Sequence, residues 1–359
     1  MSIMPWTLAG LLQSWTNRPK PCACPVAEQL AAKDPNNQAY VNRLLSVLFD
    51  TGSNAWFSGD IGKARGLTTR EIQIRERSPR TSEDFNLLAQ RQQQLAFFEE
   101  HMEKAAAARE GKSALENYGR SYAISERTFA ESKGQSLADL ENMRSLRVGA
   151  AFTMELLGQL DAARKSAREA LQIADRIVAA QNSAPNHDLQ NITRALLFRL
   201  MELTGSSDAE FQRFSGNSAA LTPQSKQTLI AEGWLQYVTI VWQYPDRTVP
   251  AARRAVDGFR AVLRDGGPAQ QRIDLARALC SLSYESRSMA HFVPPAEQVT
   301  YLEKARLASQ EALGILEPLR AAGKLPEVNQ DDWAVAKIGL ASSESKLAAA
   351  RGAATVSSR

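Results

Sequence analysis

Apolar residues recur at helical intervals along almost the whole chain. Leu44, Leu45, Leu48, Ala55 and Trp56 form one such stripe over residues 40–58. Further amphipathic runs cover 187–202, 224–243, 249–263, 270–290, 296–320 and 331–351, with a short one at 209–214. Nowhere does the pattern alternate residue by residue, as a half-buried strand would. Stop and start signals separate the runs. Ser215-Gly-Asn-Ser218 marks a break, Thr222-Pro223 opens a helix, Pro250 suits a first helical turn, and Gly266-Gly-Pro268 closes the preceding run. Pro294-Pro295 joins the last long pair, and the polar stretch 352–359 reads as a frayed, disordered tail.

The pattern also repeats. At a shift of 99 positions, Gly59, Ala64, Arg65, Gln73, Ile74 and Arg77 recur as Gly158, Ala163, Arg164, Gln172, Ile173 and Arg176. Halfway between, at a shift of 50, Ala64, Arg70, Ile74, Glu76 and Arg77 recur as Ala114, Arg120, Ile124, Glu126 and Arg127. Internal similarity at a fixed period signals stacked repeats, each too thin to bury its own apolar face. Within a copy, Gly52, Gly59 and Ala64 (Ala151, Gly158 and Ala163 in the third) place small residues where two helices cross and a glycine where they turn.

That spacing resembles the tetratricopeptide repeat. Asp34-Pro-Asn-Asn37, Ile74-Arg-Glu-Arg77, Asp274-Leu-Ala-Arg-Ala278, Ala312-Leu-Gly-Ile-Leu316 and 319–325 are similar to the long-repeat arms of bacterial serine/threonine protein kinases and related signalling proteins. The resemblance implies an all-α, right-handed α-α superhelix, a TPR-like solenoid of about six helical hairpins with a C-terminal capping helix. The division expected is an irregular 1–25 with a short apolar helix, repeats one to three over 26–186, degenerate pairs and the cap over 187–351, and the tail. It further implies a non-catalytic scaffold that holds a peptide or helix of a partner, a kinase or other signalling protein, in a groove lined by the first helix of each pair. By repeat analogy the groove residues are Ser46, Phe49, Ser53 and Trp56 in the first copy, Ser145, Val148, Phe152 and Glu155 in the third, and Arg277, Tyr284 and Arg287 in the last pair. The phosphoryl-transfer parts of a kinase are missing: there is no glycine-rich loop, His-Arg-Asp or Asp-Phe-Gly.

Other motifs in the chain fit a helical array better than the chemistry they spell. Asp50-Thr-Gly-Ser53 spells the aspartic-protease segment, but the second candidate, Leu203-Thr-Gly-Ser206, has leucine where the facing acid is needed. Cys22 and Cys24 supply half a zinc set, and no second pair of Cys or His lies at ligand spacing. A hydrolase built on Asp50 or a metal at Cys22/Cys24 is therefore the alternative function, and no cofactor or metal is expected. Gly111-Lys112-Ser113 lacks the earlier P-loop glycine, since Ala106 stands there, and is expected at a turn between helices. His101, His187 and His291 are scattered, Trp234, Trp242 and Trp333 fall on apolar stripes, and Arg253, Arg260 and Arg264 make a basic stripe on one helix. With 44% hydrophobic residues, 23% charged, a net charge of +4 and acids interspersed with bases, nothing marks a nucleic-acid footprint. Three cysteines, no basic residue before Arg18 and no apolar span of membrane length predict a soluble, cytoplasmic protein.

Overall fold

The computed structural model describes residues 23–57, 60–77, 81–100, 104–216, 220–241, 245–263 and 268–357. These residues form fourteen α-helices and no strand: α1 (Ala23–Lys33), α2 (Gln38–Phe57), α3 (Ile61–Arg75), α4 (Ser82–Glu100), α5 (Lys104–Glu131), α6 (Leu137–Leu156), α7 (Leu160–Ala180), α8 (Ala184–Leu203), α9 (Asp208–Phe214), α10 (Pro223–Ile240), α11 (Pro245–Val262), α12 (Ala269–Met289), α13 (Pro295–Ala321) and α14 (Gln330–Ser357). Within each of two compact units, 19–208 and 209–359, every helix from α1 to α8 and from α10 to α14 packs on the next in sequence. The fold is an all-α helical-repeat solenoid. Paired helices α2/α3, α4/α5 and α6/α7 build the first unit, with α1 on one end and α8 on the other. Pairs α10/α11 and α12/α13 followed by α14 build the second. Of the six expected hairpins, five have partners of similar length, and the sixth place holds α8 followed by the seven-residue α9.

The repeat has a direct physical basis. Ala64, Ala114 and Ala163 sit on α3, α5 and α7, and each is 0% exposed. A methyl group fills these positions completely, so nothing larger fits without moving a helix. Gly52 on α2 faces the same crossing. A Cβ there would meet Leu67 Cβ at 3.6 Å and the Ala64 carbonyl at 3.8 Å, which is ordinary contact, and the third copy does carry alanine at Ala151. Gly158 ends α6 at φ +74°, where the Gln159 amide donates to the Met154 carbonyl (2.8 Å). Only glycine adopts that left-handed turn at no steric cost. Asp60 and Ser136 cap α3 and α6 by accepting from the Lys63 and Asp139 amides (3.0 and 3.2 Å).

Three boundaries differ from the sequence expectation. A shift of 50 from Ile61 would start α5 at Gly111, yet α5 starts at Lys104. Residues Ala105-Ala-Ala-Ala-Arg-Glu110 are among the strongest helix formers and carry the helix back by two turns. Gly111-Lys112-Ser113 therefore lies inside α5, and is not the predicted turn. A Cβ on Gly111 would stand 2.9 Å from Leu157, so the glycine allows α5 to approach the end of α6. Likewise α11 opens at Pro245, which puts Pro250 within the helix. Finally, α14 runs to Ser357, past Arg351 where the pattern stops.

Candidate functional site

Within each unit, side chains stitch first helices of successive pairs to one another. From α4 to α2, the Arg91 guanidinium lies 4.0 Å over the Phe49 ring, and Phe98 stacks on Trp56 at 4.7 Å. From α4 to α6, Gln93 Nε2 donates to the Gly149 carbonyl (3.2 Å) and to Thr153 Oγ1 (2.7 Å), while Asn142 Nδ2 reaches Ser82 Oγ (2.7 Å). From α6 to α8, Arg144 Nη1 donates to Thr193 Oγ1 (3.2 Å), and the fully buried Arg199 makes a two-pronged pair with Glu155 (2.8 Å on one prong). Burial pulls the Arg144 guanidinium down to about 10, against the Glu141 carboxylate, which favours its charge. In the second unit, Arg277 Nε lies 3.9 Å from Asp332, and Arg287 Nη1 donates to the Gly339 carbonyl at 2.8 Å, joining α12 to α14.

Several of the predicted groove residues are these stitches. Trp56 and Phe152 are buried, Glu155 is committed to Arg199, and Arg287 to Gly339 and Ser283. Ser145 accepts from Arg144 Nη2 (3.2 Å), Ser53, Val148 and Tyr284 are half-buried, and Arg277 is exposed beside Asp332. Ser46 and Phe49 stand apart from the others: both line an open cleft of about 1670 Å³ formed by α1, α2, α3 and the start of α4.

The cleft is positioned by its first helices. Asn37 Oδ1 accepts from the Ala39 amide (3.1 Å) and starts α2 immediately after α1 ends, so Ala27 and Ala31 pack on Leu44, Val47 and Leu48. That leaves Val41, Leu45 and Phe49 on the cleft floor. Its far wall is α3 and the start of α4, which the sequence did not nominate: α3 is the second helix of its pair, and no groove residue was assigned to the second copy, whose first helix is α4. Five guanidiniums line the cleft, those of Arg65, Arg70, Arg75, Arg77 and Arg91, against three carboxylates, Glu28, Glu83 and Asp84. Four of the arginines are held in place. Glu71, 1% exposed, takes Arg75 (2.8 Å) and Arg91 (3.0 Å), Glu99 takes Arg65, and Glu28 takes Arg70 at 3.0 Å. A sequence signal for this wall existed in Gly62 and Gly66, one turn apart on α3. Each glycine weakens a helix by about 1 kcal/mol relative to alanine, and beyond the adjoining backbone of α3 itself nothing lies within 4 Å of a Cβ at Gly66.

Asp50 lies half-buried on α2. Burial raises its pKa, Arg43 opposes and Glu71 adds to the rise. Glu71 is itself held by two guanidiniums. Cys22 and the side chain of Cys24 lie outside the described residues, as does His101. Among the described residues no three His, Cys, Asp or Glu side chains are grouped to hold a metal. Cys280 is buried, and burial together with the Asp332 carboxylate pushes its thiol up to about 12. The basic stripe on α11 is partly spent, since Arg260 pairs with Glu311 of α13 and with Asp257. Arg264 and Trp242 lie outside the described residues. No described helix is long and apolar enough to cross a membrane.

No family model and no curated protein matches the chain. Among solved structures it is similar to BtubC (BKLC) from P. vanneervenii, 16% identical over 87% of this chain and 92% of that one, with a TM-score of 0.35. It is also similar to a circular tandem repeat protein with novel repeat topology and enhanced subunit contact surfaces, 14% identical over 94% of this chain and 90% of that one, with a TM-score of 0.30. At these TM-scores the likeness carries no argument about this chain, and the kinase-arm resemblance gains nothing from it.

Proposed function

We propose that the protein is a non-catalytic TPR-like scaffold whose cleft between α1, α2, α3 and α4 holds a short segment of a partner protein, of the signalling class that the repeat resemblance implies. The observation that carries this reading is the cleft itself, an apolar floor ending in Phe49 beneath a wall rich in guanidiniums. An apolar surface flanked by fixed cations suits a peptide or helix with one apolar anchor and acidic flanks. The anchor displaces water from Phe49, and the acids meet arginines whose geometry is already set.

Synthetic amphipathic peptides of equal apolar content and opposite flanking charge, read by fluorescence anisotropy, test the proposal. Acidic peptides should bind, and Phe49→Ala together with Ser46→Glu should weaken them at least about tenfold. Val148→Arg, away from the cleft, should leave binding unchanged. Equal affinity for basic peptides, or binding that ignores Phe49 and Ser46, would overturn the reading. The non-catalytic part is tested separately: any peptidase activity of the purified protein should survive Asp50→Asn.

A further inference from the structure

The second unit buries ionisable groups in a way the first does not. Helix α12 packs on α10, α11, α13 and α14. Its Glu285, 2% exposed, accepts at Oε2 from Thr248 Oγ1 of α11 at 2.6 Å, and Thr248 is itself 0% exposed. The charged neighbour on the same helix is Arg287, but that guanidinium is turned to the Gly339 carbonyl of α14 (2.8 Å) and to Ser283 Oγ (3.2 Å). Tyr284 adjoins Glu285 on α12. From α13 the facing polar group is Ser309, on Ser283 at 2.6 Å. From α14, Lys346 adds positive charge beside Arg287 and lies 3.0 Å from His291.

Two to three turns earlier on α12, Arg277 and Asp274 face Glu232 of α10 and Asp332 of α14. Arg277 stands 3.9 Å from Asp332 and acts electrostatically on Asp274 and on the half-buried Glu232 as well. Asp332 Oδ2 accepts from Asn329 Nδ2 (2.9 Å) and Asp274 Oδ1 from Gln270 Nε2 (3.0 Å), while among the described residues no neutral donor is found on Glu232.

We propose that this unit is a proton-operated element, in which Glu285, enclosed between α11 and α12 with a hydroxyl and not a guanidinium in contact, and the half-buried Glu232 bind protons in the folded state, so that losing them loosens α10 and α11 from α12.

Burial, with Asp274 adding and Arg277 opposing, pushes Glu232 up to about 7. Burial pushes Glu285 up to about 8 against the Thr248 hydrogen bond and Arg287. Asp274 and Asp332 are raised by burial as well. All four shifts have one sign. The unfolded chain releases these protons near pH 4 to 4.5, whereas the folded unit keeps those of Glu232 and Glu285 until pH 7 to 8. The folded state therefore binds more protons across that window, and its stability falls as pH rises through it. Below the window both states are protonated and the full stability is present. His291, whose pKa burial and Lys346 lower, acts in the opposite direction below about pH 6.5.

Hydrogen–deuterium exchange of the whole protein at pH 8.5 and 6.0, corrected for intrinsic exchange, tests the proposal. Protection of α10 to α12 amides should rise at least about tenfold on acidification, while that of α2 to α8 moves less. In Glu232→Gln/Glu285→Gln the rise should disappear, and at pH 8.5 the variant should be at least as protected as the parent. Carbon-13 NMR of glutamate-labelled parent protein provides a readout independent of any variant's folding. Two side-chain carboxyls titrating between pH 6 and 9 support the proposal. All glutamates titrating below pH 5.5, or equal protection at the two pH values, would overturn it.

Discussion

The two units bury glutamates by opposite means. In the first, Glu71 meets Arg75 and Arg91, Glu99 meets Arg65, and Glu155 meets Arg199, so each of these glutamates has a guanidinium in contact. In the second, Glu285 meets a threonine hydroxyl, and Glu232 shares Arg277 with two aspartates. A buried carboxylate needs either a counter-charge or a proton. The first unit supplies counter-charges from the chain, and the second draws protons from solvent. Solvent conditions therefore act on the two units unequally.

Four substitutions sharpen or break this contrast. The largest effect is expected from Glu155→Ala. It strands the fully buried Arg199 and should cost the first unit about 3–5 kcal/mol in urea denaturation. Replacing both partners by leucine should recover most of that loss. Next is Gly339→Ala, whose Cβ would stand 2.7 Å from Ser309 Oγ and 2.8 Å from Arg287 Nη1. A destabilisation of about 1–3 kcal/mol is expected, with α14 losing protection first. Glu285→Gln keeps an acceptor for Thr248 and should change stability at pH 6 by less than about 1.5 kcal/mol. If it costs as much as Glu155→Ala, the two burials are not different in kind. The smallest effect is that of Gly52→Ala, which meets only ordinary contacts and should raise the thermal midpoint slightly, by up to about 1 kcal/mol in stability.

Helix content, pairing and repeat register were legible because they depend on local pattern. Ala64, Ala114 and Ala163 occupy equivalent buried places, and their spacing alone located them. The extent of α5 was not legible from repeat arithmetic, because the propensity of 105–110 outweighed the period. The cleft was half legible. Ser46 and Phe49 followed from the repeat, whereas Arg65 and Arg91 belong to the opposite wall and depend on how α3 and α4 turn. Trp56 and Glu155 illustrate the converse error. Both lie on the stripe where a groove would be, but Phe98 and Arg199, each more than 40 residues away in sequence, occupy that space. The Glu285–Thr248 pair left no sequence trace, since its partners lie 37 residues apart on different helices.

The matching places of Ala64, Ala114 and Ala163 also bear on how such a gene can change in length. Joining codon 64 directly to codon 115 excises one whole unit of the array and leaves α3 continuing into the second half of α5, its methyl still in the socket that Ala114 fills. A cut out of phase by one or two residues would swing a larger side chain into that socket. Insertions and deletions that fall within these helices thus keep the methyl in its socket when they come in steps of 49 or 50 residues, a quantised growth rule set by a single methyl group.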